Sequence, residues 1–260
     1  MSYVPFPFSE EITAFSTCRQ GGCGTGTYAS FNCTHYCGDN PEHVASNREK
    51  LCRDWNITPD RLFIPRQVHD VQAAVVDEEF LALPTEEQGV RLEGVDALLS
   101  PLAGCCLAIS TADCVPILLY DTRARIVAAI HAGWRGTVAH ILSQVLRRMT
   151  LLYGTEGKDV KAVIGPSISL QAFEVGDEVY DQFHSAGFPM NRIARREAKW
   201  HIDLWEANRL QLLDYGVPTE SIHTAGICTF TDSDRFFSAR KLGIKSGRIL
   251  TTIMRTERVK

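Results

Sequence analysis

Between residues 95 and 130 the chain passes through four apolar segments in quick succession, at 95–100, 104–110, 115–120 and 126–130. Each is short and bounded by turn residues, which predicts strands. Their short connections predict neighbouring, largely antiparallel strands in one sheet. After residue 130 the period changes. Val138, Ile141, Leu142, Val145, Leu146 and Met149 recur at helical spacing, and Gly154 and Gly157 end the run. One helix is therefore predicted after His131, with Arg147 and Arg148 near its C-terminal end.

The flanking regions continue the alternation. Residues 11–18 read as a strand leading into a glycine-rich run, Arg19 to Gly26. A dinucleotide-binding loop would need a helix next, and the loop-like residues from Thr27 to Cys37 do not supply one. Asn40-Pro41-Glu42 combines a capping side chain, a proline at the first helical position and an early acid, so a helix is expected to about Trp55. Strands follow at 61–68 and 71–77, then an acidic helix or surface excursion over 78–93. Downstream, a strand at 160–164 precedes helices from Asp177 to His184 and from Asp203 to Tyr215, with late strands at 222–226 and 248–254. No repeat, low-complexity tract or linker interrupts this order. The pattern predicts one α/β (α+β) domain over residues 1–260, a mixed β-sheet layered with helices.

Composition narrows the partners. With 45% hydrophobic and 22% charged residues, the chain reads as an ordinary globular protein. A net charge of −4 without a dense basic stripe argues against nucleic acid. No apolar run approaches the roughly 18 residues of a membrane span, so no membrane partner is expected. The start of the chain lacks a secretory signal pattern, and nine cysteines then fit free thiols in a reducing cytoplasm. Cys105 and Cys106, inside an apolar run, read as small buried hydrophobes. Cys18, Cys23, Cys33 and Cys37 contain no Cys-x-x-Cys pair and do not read as a zinc finger.

Three segments place reactive side chains beside apolar strands: Gln67-Val68-His69, Thr111-Ala112-Asp113-Cys114-Val115-Pro116 and His131-Ala132-Gly133-Trp134-Arg135-Gly136. One cysteine and two histidines have three standard uses. They are a catalytic zinc site with three protein ligands, a Cys–His nucleophilic pair and a copper site of two imidazoles and a thiolate. Each residue alone is more often a packed or hydrogen-bonded side chain than a ligand. Asp113 either orients a histidine or caps its own turn. Arg135 either grips an anionic substrate group or forms a surface ion pair. Trp134 either stacks on a substrate or packs under the turn. Metalloprotease, P-loop, nucleophile-elbow and zinc-deaminase signatures are missing.

These three segments together resemble the signature motifs of the YfiH family of laccase-domain proteins. The resemblance extends to Ser30-Phe31-Asn32, Cys37 to Asn40, Asn47-Arg48, Gly165 to Ile168, Phe173 to Val175, Cys228-Thr229 and Phe236 to Arg240. It implies a cysteine–histidine fold like that of cytotoxic necrotizing factor and a metal-binding trio at His69, Cys114 and His131. The implied activities are phosphorolysis of adenosine, inosine, guanosine and methylthioadenosine, with adenosine deamination alongside. Zinc is the expected metal and copper the alternative; purine nucleoside and inorganic phosphate are the expected partners. Arg135, Arg48 and Arg19 are candidates for the phosphate contact. Rival readings are a copper-dependent polyphenol oxidase, a metal-free Cys–His enzyme acting on amides, and a non-enzymatic or peptidoglycan-related binding module. The chain departs from the usual family pattern at Asp70, Phe173 and Ala239, which bears on substrate preference.

Overall fold

The apolar runs form the strands Ala97–Ser100, Cys106–Thr111, Val115–Asp121 and Ile126–Ala132, and every residue in them is buried. Burial on both faces explains why the runs are unbroken rather than alternating. In the computed structural model, which describes residues 2–256, they do not share one sheet. Val115–Asp121, Ile126–Ala132 and Ala97–Ser100 lie in a six-stranded mixed sheet, which Ile222–Thr224 and Val160–Ile164 extend on one side and Ala73–Val75 on the other. Cys106–Thr111 belongs to a second sheet of five strands. There it pairs antiparallel with Ile249–Arg255 and parallel with Leu62–Phe63, and Ile12–Thr17 and Tyr3–Pro5 complete the order. The three residues between Thr111 and Val115 therefore form a crossing from one sheet to the other rather than a hairpin.

The two sheets pack face to face. Alternate residues of Cys106–Thr111 show the layering: Leu107 and Ile109 join Leu118, Val127, Ala129 and Ile253 between the sheets. Cys106 and Ala108 point the other way, onto Leu51 and Cys52 of the helix Pro41–Trp55. On the far face of the six-stranded sheet, Ile117, Leu119, Ala128 and Ile130 pack against Ile141, Leu142, Val145 and Met149. The result is helix, sheet, sheet, helix, a mixed α/β fold as the sequence pattern implied. No helix among the described residues is long and apolar enough to cross a membrane.

Local chemistry explains the remaining differences. Segment 61–68 keeps only Leu62–Phe63 as strand and segment 71–77 only Ala73–Val75. Between them, the N–H groups of Val68, His69 and Asp70 turn to a side-chain carboxylate instead of a neighbouring strand. The acidic stretch forms two helices, Glu78–Ala82 and Thr85–Arg91, parted at Pro84. The helix after His131 is also two, Trp134–Val138 and Ile141–Tyr153, because His140 adopts a left-handed conformation (φ 56°) between them. The cap at Asn40 forms as expected, its side chain accepting the Glu42 N–H at 2.9 Å. Asn40→Ala should lower the unfolding free energy by about 1 kcal/mol, measurable by denaturant titration.

Candidate metal centre

His131 occupies the second-last position of a strand buried along its whole length. It is in phase with Val127 and Ala129, the residues that face the other sheet. Cys114 ends the crossing between sheets and immediately precedes Val115, which pairs with Ala132. His69 lies in the bend between Phe63 and Ala73, with φ 67°. These three side chains converge at the seam of the two sheets, with one potential ligand atom each and all three atoms within 4.8 Å of one another. The imidazole rings of His69 and His131 meet edge to face, with centroids 4.8 Å apart. Burial falls from His131 through Cys114 to the exposed His69, so one side of the cluster faces solvent. Among the described residues, no other group of three or more cysteine, histidine or carboxylate side chains is arranged to hold a metal ion.

The turn after His131 leaves room for this convergence. A Cβ at Gly133 would lie 3.1 Å from Cys114 Sγ, 3.3 Å from His69 Cδ2 and 3.7 Å from His131 Cε1. Glycine thus keeps a small volume clear against all three side chains.

The electrostatics favour a thiolate. Burial opposes ionisation of Cys114, but the facing His131 and His69 outweigh it and hold the thiol down at about 6. Burial likewise opposes a charged His131, yet Cys114 and the Asp96 carboxylate raise it to about 9. A deprotonated sulfur flanked by two imidazoles is the donor set that a zinc or copper ion takes. In metal-free protein, iodoacetamide should label Cys114 at nearly its full rate at pH 7 and lose that rate below about pH 6. A free thiol, with pKa near 8.5, is still mostly unreactive at pH 7. Labelling resolved by peptide mass spectrometry across pH checks this.

Asp113 does not orient either histidine. It is a left-handed residue (φ 86°) whose carboxylate accepts the Thr229 hydroxyl at 2.7 Å and the Arg240 N–H at 2.7 Å. Its carbonyl accepts the Ile168 N–H at 2.9 Å. It thereby ties the crossing that carries Cys114 to the later segments around Ile168, Thr229 and Arg240. The carboxylate that does reach a histidine is Asp96, fully buried, with Oδ1 2.7 Å from His131 Nδ1. Sequence reading missed it, because an aspartate at the start of an apolar run looks like a turn residue.

The arginines are not gathered like the trio. Arg135 follows Gly133 by two positions, is exposed, and lays its guanidinium over the Trp134 ring at 4.2 Å. Trp134 itself packs partly against the core. Arg48 donates to the Cys33 carbonyl at 2.8 Å and meets His35 Nδ1 at 2.8 Å. Arg19 donates to the carbonyls of Ala29 and Ser233 at 2.7 and 2.9 Å, clipping the glycine-rich loop to a C-terminal segment. Asp70 turns its carboxylate to its neighbour's N–H, on Val71. A groove of about 720 Å³ lined by Val75, Phe80, Arg148 and Tyr153 includes none of the trio.

A cysteine and two histidines at a sheet seam, one histidine bound to a carboxylate, make a candidate metal site in a mixed α/β fold, and comparison places the chain more narrowly. The chain belongs to the multicopper polyphenol oxidoreductase laccase family, whose pattern matches residues 13–256. It is 51% identical over 257 residues to the purine nucleoside phosphorylase of Bacteroides thetaiotaomicron, covering 98% of this chain and 95% of that one. It is 44% identical over 249 residues to adenosine deaminase RL5 from an unknown prokaryotic organism, covering 95% of each. The crystal structure of YlmD from Geobacillus stearothermophilus superposes with a TM-score of 0.89 at 32% identity, covering 95% of this chain and 93% of that one. This chain is an enzyme of that family.

Proposed function

We propose that the chain is a purine nucleoside phosphorylase with adenosine deaminase activity. It would cleave adenosine, inosine, guanosine and methylthioadenosine with phosphate at a zinc centre held by His69, Cys114 and His131. Residues 1–260 would act as one domain in the cytoplasm. The observation that carries the reading is the convergence of those three side chains, open to solvent on the His69 side. The relatives named for these two activities supply the substrate class. The chemistry that zinc supplies when bound to such ligands is Lewis acidity and a water acidified toward neutrality.

The chain's own residues do the rest. Phosphorolysis replaces the bond from ribose C1′ to the base nitrogen with one from C1′ to a phosphate oxygen, through an oxocarbenium-like transition state. Phosphate must be held beside the sugar, and the leaving base must receive a proton. Of the three candidate arginines, Arg135 has the guanidinium freest for phosphate, since no hydrogen bond from it forms among the described residues. Arg48 and Arg19 already share donors with backbone carbonyls and would act mainly by fixing the surrounding loops.

Incubation of purified enzyme with adenosine, with and without phosphate, followed by chromatography tests this directly. Phosphate-dependent adenine is expected, with inosine formed whether or not phosphate is present. Neither product at high enzyme concentration would overturn the proposal. The copper-dependent phenol oxidase is favoured by the family's description alone. A single three-ligand group suits one copper, whereas collecting four electrons for O₂ calls for several. Oxygen uptake on a phenol with copper-loaded protein would decide for it.

A further inference from the structure

Asp96 lies outside every motif singled out in the sequence, yet both histidines of the trio depend on it. It sits between Gly94-Val95 and the strand Ala97–Ser100 and is fully buried. Its Oδ1 accepts the His69 N–H at 3.0 Å and lies 2.7 Å from His131 Nδ1. Its Oδ2 accepts the N–H groups of Val68 and Asp70 at 3.1 and 3.0 Å. Its backbone carbonyl accepts the His131 N–H at 2.8 Å. A carboxylate has about four acceptor sites, and all four are used.

Two consequences follow from this geometry. Three successive N–H groups can converge on one carboxylate only if the chain curls, and His69 at φ 67° is that curl. A non-glycine residue there is strained, and the hydrogen bonds to the buried anion offset that strain. At His131, a nitrogen facing an ionised carboxylate must carry a proton, so Nδ1 remains the N–H and Nε2 is the nitrogen that releases its proton and offers its lone pair when an ion binds. We propose that Asp96 is the positioning residue of the centre. One carboxylate fixes the tautomer of His131 and the bend that presents His69, so that both imidazoles are aimed before any ion arrives. The proposal rests on reading the trio as a metal centre.

Asp96→Asn separates these roles, because an amide offers one acceptor and one donor in the same space. With its oxygen toward His131, its NH₂ opposes the N–H groups of Val68 and Asp70 and the His69 bend opens. With its NH₂ toward His131, the ring proton moves to Nε2 and blocks that ligand. Either way one imidazole is lost. Zinc and cobalt affinity, measured by chelator competition, should fall roughly 10–100-fold, the usual effect of losing an outer carboxylate. Because this variant can also fail to fold, the wild-type zinc protein supplies a second test. Long-range ¹H–¹⁵N NMR should show His131 protonated at Nδ1 and not at Nε2. Equal affinity in wild type and variant, or a proton on His131 Nε2, would overturn the role of Asp96. No binding of either ion by wild type would instead overturn the metal reading beneath it.

Discussion

Cys114→Ala should lose bound metal and essentially all turnover of adenosine and inosine. The thiolate is the one anionic donor of the trio, and removing it leaves two imidazoles converging on a methyl group. The loss should exceed the roughly 10–100-fold that follows removal of an outer hydrogen-bond partner. Stability should change far less. The side chain is small and only half-buried, and the sheets around it are packed by Leu118, Val127, Ala129 and Ile253 rather than by the sulfur. A metal-free melting temperature within a few degrees of wild type is expected, about 1 kcal/mol or less. Elemental analysis, chromatographic assay and thermal melting together make the check. Cys23→Ala, which removes an exposed thiol, serves as the control and should keep metal and activity. Full metal content and activity in the Cys114 variant would refute the assignment.

Gly133→Ala should show the same separation from the opposite direction, by adding an atom instead of removing one. The backbone at this position, φ −62° and ψ 168°, is open to any residue, so conformational strain plays no part. Space does. The new methyl would sit 3.1 Å from Cys114 Sγ and 3.3 Å from His69 Cδ2, inside the roughly 3.5–4.0 Å at which carbon atoms attract. Both side chains must retreat by a few tenths of an ångström, and they are two of the three proposed ligands. Metal affinity should fall by about tenfold or more, since ligand geometry is that sensitive to its surroundings. Replacing glycine also restricts the unfolded chain, worth about 0.4–1 kcal/mol, which offsets part of the crowding. The expected variant is therefore nearly as stable as wild type but a poor binder. Isothermal titration with zinc beside a thermal melt reads both quantities, and unaltered affinity would show that the turn tolerates the methyl.

The strands were legible wherever a long apolar run met clear turn residues, as at 115–120 and 126–130. Their assignment to sheets was not. A strand buried on both faces looks the same in either sheet, and the pairing of Cys106–Thr111 with Ile249–Arg255 joins residues far apart in the chain. The helix break at His140 was equally silent, since the apolar spacing from Val138 to Ile141 continues across it and histidine carries no breaking signal. The short strands Ala194–Arg196 and Trp200–Ile202 went unseen because the first is mostly charged and neither is long enough to show a period. At the centre itself, spacing singled out His69, Cys114 and His131 as reactive groups but left their use open. The motif resemblance joined them, and the geometry shows them together. Asp96 had no such help. Its partners lie earlier in the chain at Val68 to Asp70 and later at His131, and only the folded topology brings a carboxylate to both.

The strand Ile249–Arg255 lies between Ile12–Thr17 and Cys106–Thr111, holding the middle of the five-stranded sheet although it is the last of the five in the chain. Ribosomal synthesis delivers it after all its neighbours. Until it emerges, Ile12–Thr17 and Cys106–Thr111 have a gap between them where their common partner belongs, and the wall on which the crossing to Cys114 is mounted is unfinished. The six-stranded sheet has all its strands by Thr224 and can form earlier. Translation would thus deliver one sheet first and close the second around it near the end. A nascent chain stalled short of residue 249 would carry His69, Cys114 and His131 but lack the central strand of the sheet from which the crossing to Cys114 starts.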